Sequence, residues 1–349
     1  MNFDEPLFAD ALFRKKGKKG AFKIVPSPEL EADVADTHAH LGMLPDVPLN
    51  LARCALHRLQ FICSITDPTE EADQTYEKLE EWQSSAQNLL PLVIKNTLAE
   101  LGSQSSASQP FMDTLAQLDE SEQHSVIDSL SIPHVRVSCG CHPHNAEKFT
   151  PEIEQRLRYR LKDSKSCAVG EVGLDYHYDY SPRQTQREVF RRQIQLAHTA
   201  EMPLILHLRE AHDDGLKIMD EEGFPTAGVL LHCFNLDFAT LEPWLERGAY
   251  VAFGGPITFA KSDETRQAAK RAPQNRILTE TDAPFMTPAP MRGMVCGPEH
   301  TVFTAARLAE VCGARPGEER RSFLQEIYGS ALCLLDKELS SWQRAEMKA

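Results

Sequence analysis

Short apolar segments alternate with longer amphipathic segments along most of the chain. Phe61–Ile65 and Pro203–Leu208 illustrate the short segments, in which almost every residue is apolar. Such a run is typical of a strand that is buried on both faces of a parallel sheet. Runs of this kind predict eight strands, at 34–41, 61–65, 134–141, 167–170, 203–208, 227–232, 250–253 and 276–281.

The segments between these runs carry apolar residues three or four positions apart, which is the spacing of amphipathic helices. Examples are 151–162, which Pro151 opens, and 182–201. Eight strands that alternate with helices over about 250 residues predict a (β/α)8 TIM barrel. The alternative is an open, doubly wound sheet, but the sequence has no Gly-rich phosphate loop after its first strand.

Two segments interrupt the alternation. Residues 1–30 contain the basic run Arg14–Lys19 and predict a mobile tail, with a tether for a polyanion as the alternative. Residues 84–133 predict a helical insertion between the second and third strands, and they include a polar link at 102–109. We therefore expect one barrel domain at 31–340 that carries this insertion.

The overall charge of the chain limits its partners. The 349 residues include 37 basic and 51 acidic side chains, so the formal charge is −14. This balance argues against unspecific electrostatic wrapping of nucleic acid. It does not exclude a small site at which metal ions supply positive charge.

The cysteines and the hydropathy indicate where the protein works. The nine cysteines form an odd number, are dispersed, and in several cases stand inside apolar runs, so we expect a reducing cytoplasm. No run of about 18 apolar residues is present, so we expect no transmembrane helix. The acidic start of the chain lacks the apolar region of a signal peptide.

The first predicted strand ends in a pair of histidines, His38 and His40. Alternate residues of a strand point to one face, so both imidazoles are available to one metal ion. A single pair of this kind is weak evidence, because an isolated histidine is more often a simple polar residue. Active sites of TIM barrels lie at the carboxyl ends of the strands, where further ligands are expected.

Four other predicted strands also end in candidate ligands. They supply Glu171, His207, His232 and Asp282. Because six ligands exceed the needs of one ion, we predict two divalent ions of zinc, magnesium or manganese. The predicted first ion binds His38, His40 and Asp282, the second binds His207 and His232, and Glu171 bridges them. Two such ions can clamp a transferring phosphoryl group, and Asp282 is placed to take a proton from the attacking water.

Several motifs resemble one enzyme family in the same order. DTHAH, CHPH, GEVGLDYH, SPRQTQREVF, PLILHLREA, HCF and TETDAPF, found between residues 34 and 300, resemble the TatD family of metal-dependent deoxyribonucleases. The resemblance implies a barrel of the metallo-dependent hydrolase type with ions at the six positions above. It also implies hydrolysis of DNA phosphodiester bonds from the 3′ end, and the acidic surface favours single-stranded ends as substrate.

Three further residues of these motifs are candidate substrate contacts. His142 and His144 lie in CHPH, and they contact either the substrate or only their own loop. Arg209 follows His207 on the same strand face, where it binds a phosphate or forms a salt bridge at the barrel mouth. Asp175 is expected to orient a ligand histidine.

Two other functions share parts of this pattern. An amidohydrolase acting on a cyclic amide or ester also uses His-x-His in a barrel, but many such enzymes bridge their ions with a modified lysine where this chain has Glu171. A binding protein without catalysis would have lost some of the ligands, and none is lost here. The sequence does not define the oligomeric state.

Overall fold

Eight parallel strands form the barrel in the computed structural model, which describes residues 6–70, 72–103, 115 and 117–346. Two short strands, β1 (Phe13–Lys16) and β2 (Phe22–Val25), precede them. The barrel strands are β3 (Val34–Ala39), β4 (Leu59–Thr66), β5 (His134–Cys139), β6 (Ser166–Asp175), β7 (Leu204–Arg209), β8 (Val229–Leu231), β9 (Tyr250–Phe253) and β10 (Ile277–Thr279). All eight predicted strands are therefore present, and the predicted barrel is confirmed.

Helices surround the strands. They are α1 (Val47–Leu56), α2 (Ala72–Ser103), α3 (Glu120–Ser129), α4 (Pro151–Leu161), α5 (Arg183–Ala200), α6 (His212–Glu222), α7 (Phe238–Glu246), α8 (Asp263–Arg271), α9 (Thr301–Val311), α10 (Glu318–Leu335) and α11 (Ser341–Glu346). In the described part of the chain, no helix has the length and apolar character required to cross a lipid bilayer.

Strands β3 and β10 approach each other and nearly close the barrel. The Thr37 hydroxyl donates to the Thr279 carbonyl over 3.0 Å, and the Thr279 hydroxyl donates to the Ala35 carbonyl over 2.7 Å. Beyond the strand ends, His40 N donates to Ala283 O and Asp282 N donates to His38 O. The first and last barrel strands are thus held side by side, and the candidate ligands at their ends meet.

The interior of the barrel is apolar. Phe61, Cys63 and Ile65 alternate along β4 and pack with Ile205 of β7 and other inward side chains. The end of α10, with Ala331, Leu334 and Leu335, joins the same cluster. The barrel is therefore filled below the site and covered at the opposite end by α10.

The interpretation of residues 1–30 as a mobile tail is wrong for the described residues 6–30. Strands β1 and β2 form an antiparallel hairpin, and Phe13 is buried against His57, His300 and Phe303. Arg53 Nε of α1 donates to Asp10 O over 2.8 Å, and Thr97 of α2 accepts a hydrogen bond from Ala11 N. The segment is a docked part of the fold because its apolar positions face the barrel helices.

The predicted insertion does not begin at a structural boundary. Residue 84 lies inside α2, which runs without a break from Ala72 to Ser103. Leu90, Val93 and Ile94 of α2 and the isolated Leu115 are buried in the main core, so this part of the segment is integrated into the domain. The polar link at 102–109 lies mainly outside the described residues.

Candidate metal centre

The junction of β3 and β10 brings three predicted ligands together. His40 Nε2 lies 3.5 Å from the Asp282 carboxylate, and His38 Nε2 lies 3.9 Å from it. Asp282 has a positive φ of 60°, a conformation that aspartate tolerates better than most residues. His38, His40 and Asp282 form one of the groups whose side-chain atoms are close enough to hold an ion.

Glu171 lies in the middle of the site, where its two oxygens face different histidines. Oε1 is 3.5 Å from His40 Nε2, whereas Oε2 is 3.0 Å from His232 Nε2 and 3.1 Å from His207 Nδ1. Oε2 is also 3.7 Å from His38 Nε2. The structure thus brings all six predicted ligand residues to one place around this carboxylate.

His38 provides a test of whether these residues fit a metal ion. Its side chain is completely buried, and neither ring nitrogen has a hydrogen-bond partner among the described residues. Burial, followed by the neighbouring His232, lowers the pKa of His38 to about 4, which keeps the ring neutral and able to donate a lone pair. A buried imidazole without a partner is costly, and coordination of a cation would remove that cost. The residues therefore fit a metal.

His142, predicted to contact either the substrate or only its own loop, lies within this group. Its Nε2 is 3.9 Å from Glu171 Oε2, and its ring centroid is 4.3 Å from that of His207. His142, Glu171 and His207 form another group close enough to hold an ion. Burial lowers the pKa of His142 well below its usual value, so its ring is also neutral. Substrate contact and metal ligation are both compatible with its position.

Asp175 connects His144 to His207. Its Oδ2 accepts hydrogen bonds from His144 Nε2 at 2.8 Å and from His207 Nε2 at 3.3 Å. Burial alone would lower the pKa of His207, but the hydrogen bonds to Asp175 and Glu171 raise it to about 9. The contacts agree with the orienting role expected for Asp175. His144 is therefore held at the edge of the site and does not lie among the candidate ligands.

Arg209 lies at the end of β7 without the predicted salt bridge. Its guanidinium is 4.7 Å from the ring centroid of Tyr178, while the neighbouring Glu210 contacts His177 instead. No ion pair joins Arg209 to Glu210 or to Asp213, all three of which the structure describes, so the alternative of a salt bridge to one of them is wrong, and a phosphate contact stays a prediction.

Gly173 of β6 makes the approach of β7 possible, since a Cβ at this position would lie 2.1 Å from the His207 carbonyl oxygen.

Two buried acids near the site were missed by sequence reasoning. The Glu280 Oε1 atom accepts a hydrogen bond from Cys233 N over 2.6 Å and lies 3.9 Å from His232 Nδ1. Asp67, after β4, accepts hydrogen bonds from His142 N and the Asn145 amide. Glu280 lies inside the predicted strand 276–281, and Asp67 lies two residues after the predicted strand 61–65. An acid near the end of a strand is also common in ordinary turns, so this signal does not single them out.

A comparison with protein-family models gives one match over most of the chain. Residues 35–326 match the model described as TatD related DNase. The match begins at β3, so the β1–β2 hairpin lies before it.

Curated relatives carry related names. The protein named "Uncharacterized metal-dependent hydrolase YabD" from Bacillus subtilis is 37% identical over 177 residues, which are 51% of this chain and 69% of that protein. Human "3'-5' RNA nuclease TATDN2" is 37% identical over 164 residues, which are 46% of this chain and 22% of that protein.

Solved structures agree in fold. The TatD homolog YjjV from Escherichia coli K12 superimposes with a TM-score of 0.63 and 22% identity, and the match covers 87% of this chain and 98% of that one. At this identity the likeness concerns the barrel fold alone.

Proposed function

Because the chain belongs to the family of TatD-related DNases and is a metal-dependent hydrolase, we propose that it hydrolyses phosphodiester bonds at 3′ ends of nucleic acid with two divalent metal ions. The observation that carries the proposal is the buried His38, whose unpartnered Nε2 faces Glu171 and Asp282 and whose ring is stacked on that of His232. The same cluster joins imidazole and carboxylate groups, a set that zinc, manganese and magnesium accept to different degrees.

The proposed first ion is held by His38, His40 and Asp282, and the proposed second by His207 and His232, with Glu171 between them. The orientation of Glu171 supports a bridge, because Oε1 faces His40 while Oε2 faces His207 and His232. His142 is close enough to add a ligand on the second side.

Bound divalent ions would acidify a water molecule and neutralise charge on the phosphoryl oxygens. The chain supplies the remaining functions. Asp282, whose side chain is 16% exposed, reaches the mouth of the barrel and accepts the proton of the attacking water. Asp175 fixes the rings of His144 and His207, and Glu280 lies behind His232. His144 and Arg209 are the proposed contacts to the substrate phosphates.

The substrate is proposed to be a single-stranded end. The chain carries a net charge of −14, so a long duplex is repelled by most of the surface. The hairpin is an exception: Lys16, Lys18, Lys19 and Lys23 are exposed there, and Lys15 Nζ donates to Pro290 O in the loop that follows β10. DNA is the substrate implied by the family description, whereas TATDN2 is named an RNA nuclease, so both polymers belong in the test.

The test combines metal analysis with digestion of 3′-labelled single-stranded DNA and RNA. We expect two ions per chain in the wild type, and fewer ions and a loss of activity of about a thousandfold or more in Glu171→Ala, because several kcal/mol of charge stabilisation depend on the ions. Glu326→Ala, which changes an exposed acid on α10, is the matched control and keeps wild-type activity.

Full activity of Glu171→Ala would contradict the bridging role. Hydrolysis of cyclic amides or esters by the same preparation, without digestion of either nucleic acid, would instead favour the amidohydrolase alternative.

Cytoplasmic location stays a prediction, and all nine cysteines are free in the structure.

A further inference from the structure

An exposed pair of tyrosines lies next to the candidate metal centre. Tyr178 and Tyr180 follow β6, and they are 46% and 65% exposed. Their rings are stacked, with centroids 5.3 Å apart and planes within 10°. Tyr176 of the same loop is used differently, since its hydroxyl donates to Asp214 and accepts from Arg187. Tyr176 thus supports the fold, whereas the other two rings face solvent.

The loop that carries the pair is fixed at both ends. Asp175 Oδ1 accepts hydrogen bonds from His177 N at 2.9 Å and Tyr178 N at 3.0 Å. At the other end, the Ser181 hydroxyl donates to His144 O over 2.8 Å. Asp175 and His144 are themselves part of the candidate site or its edge. The two rings are therefore held at a constant position relative to the metal centre.

Groups suited to a phosphodiester surround the pair. The His144 ring meets Tyr178 and Tyr180 edge-on, with centroid distances of 5.5 and 4.8 Å. The Arg209 guanidinium lies over Tyr178 at 4.7 Å. A nucleic-acid strand whose phosphate near the 3′ end reaches His144 or Arg209 would place an adjacent nucleobase over the tyrosine rings.

We propose that Tyr180, supported from behind by Tyr178, stacks against a nucleobase of the single-stranded substrate. The proposal rests on the proposed function and adds to it a base-stacking surface outside the metal centre. Every base has a π face, so such a surface tolerates any sequence but requires an unpaired base. A stacked aromatic pair has the rigid, flat shape that this contact needs.

Binding measured without turnover provides the first test. Metal-loaded protein is titrated with a single-stranded oligonucleotide that carries 2-aminopurine near its 3′ end and phosphorothioates at the terminal linkages, which slow cleavage. We expect the fluorescence to be quenched on binding, and Tyr180→Ala to weaken binding about tenfold. Tyr180→Trp keeps the affinity, because a larger ring still stacks.

A matched control is available in Tyr159, which is 66% exposed on α4. Tyr159→Ala removes an exposed tyrosine of comparable area, and binding is expected to stay unchanged. Equal affinity of the wild type and Tyr180→Ala would overturn the proposal. So would an equal effect of Tyr159→Ala, which would show that loss of any exposed tyrosine weakens binding.

The second test separates base stacking from contact with the sugar or phosphate. Wild type and Tyr180→Ala are compared on DNA and RNA oligonucleotides. In one set the two nucleotides at the 3′ end carry their bases, and in the other set these two nucleotides are abasic. We expect Tyr180→Ala to lower kcat/KM about tenfold on the normal ends and to leave it unchanged on the abasic ends. An equal loss on both would place the contact on the backbone and refute stacking. If the wild type digests no oligonucleotide while base-dependent quenching persists, the proposed hydrolysis fails and the stacking surface stands.

Discussion

Acidification is expected to weaken the attachment of the N-terminal hairpin through His57. This side chain is buried at the end of α1, its Nε2 is 2.8 Å from the Ala11 carbonyl, and its ring lies against Phe13. Burial lowers its pKa from 6.5 to about 4, although the hydrogen bond to Ala11 and the charge of Glu299 oppose the shift. His300 and Arg53 face the same space and favour the neutral ring.

The direction of the effect follows from the two states. When the hairpin detaches or the chain unfolds, His57 recovers a pKa near 6.5 and binds a proton more readily than in the native state. The contribution of the neutral His57 ring to the stability of the folded state is therefore complete above pH 6.5, and it decreases as the pH falls towards 4. With these two pKa values, His57 contributes a loss of about 2 kcal/mol in the free energy of unfolding between pH 7 and pH 5.

The assay is urea unfolding from pH 7.5 to pH 4.5 for the wild type and His57→Gln. Glutamine can still donate to the Ala11 carbonyl but does not titrate in this range. We expect the wild type to lose about 2 kcal/mol more than the variant by pH 5. The loss that remains in the variant comes from other histidines, such as the buried His38 and the partly buried His212, whose pKa values are also lowered. Parallel curves for the two proteins would refute the assignment to His57.

Two further predictions concern the same hairpin. Phe13→Ala should lower the free energy of unfolding by about 3–5 kcal/mol, because a buried ring is replaced by a cavity; an unchanged urea midpoint would show that the hairpin does not contribute to the stability of the barrel. Lys18→Gln and Lys19→Gln should together reduce the salt dependence of single-strand binding, by about 0.7 in the slope of log affinity against log salt for each phosphate that is no longer neutralised. Lys270→Gln on α8 is the control for that titration, and an equal change of slope in it would point to a general charge effect.

The barrel could be predicted because its signal is local and repeated. Each buried strand needs a continuous apolar run, and each helix needs one apolar face, so eight repeats identify the fold without knowledge of contacts. The limits of β6 show where this signal ends. The apolar run stops at Gly170, yet the strand continues to Asp175, because pairing with β7 extends through His207 and Arg209. Backbone pairing of this kind is not visible in the hydropathy of one segment.

The docked hairpin is not predictable from local patterns, for a related reason. Its run of lysines is typical of a disordered segment, although Phe13 and most of the Phe22–Val25 stretch are apolar. Phe13 is buried by residues that are distant in sequence, such as His300, which directly precedes α9, and Phe303 of α9. Other contacts of the segment are made by Arg53, His57 and Thr97, so all of these contacts join residues far apart in the sequence, and no local pattern indicates them.

The candidate site divides in the same way into residue types and their arrangement. That histidines and acids stand at strand ends follows from the sequence, and the barrel brings all such ends to one face. The sequence does not determine which ligand atoms would bind which of the two ions, because the loops after the strands set the positions of the side chains. His142 shows this: its backbone N–H donates to Asp67 in the loop after β4, and its ring lies next to Glu171 and His207.

The junction of β3 and β10 places a further condition on the site. Buried Asp36 accepts hydrogen bonds from the Thr281 hydroxyl at 2.5 Å and the Thr281 backbone at 3.0 Å. These bonds join the strand that carries His38 and His40 to the one that carries Asp282. The ligands of the proposed first ion come from both sides of this junction, so their arrangement depends on the closure of the barrel. The ligands of the proposed second ion come from neighbouring strands that are hydrogen-bonded in order, and their arrangement does not depend on this junction. The two positions are therefore expected to differ in how firmly their ligands are held, even though Glu171 serves both.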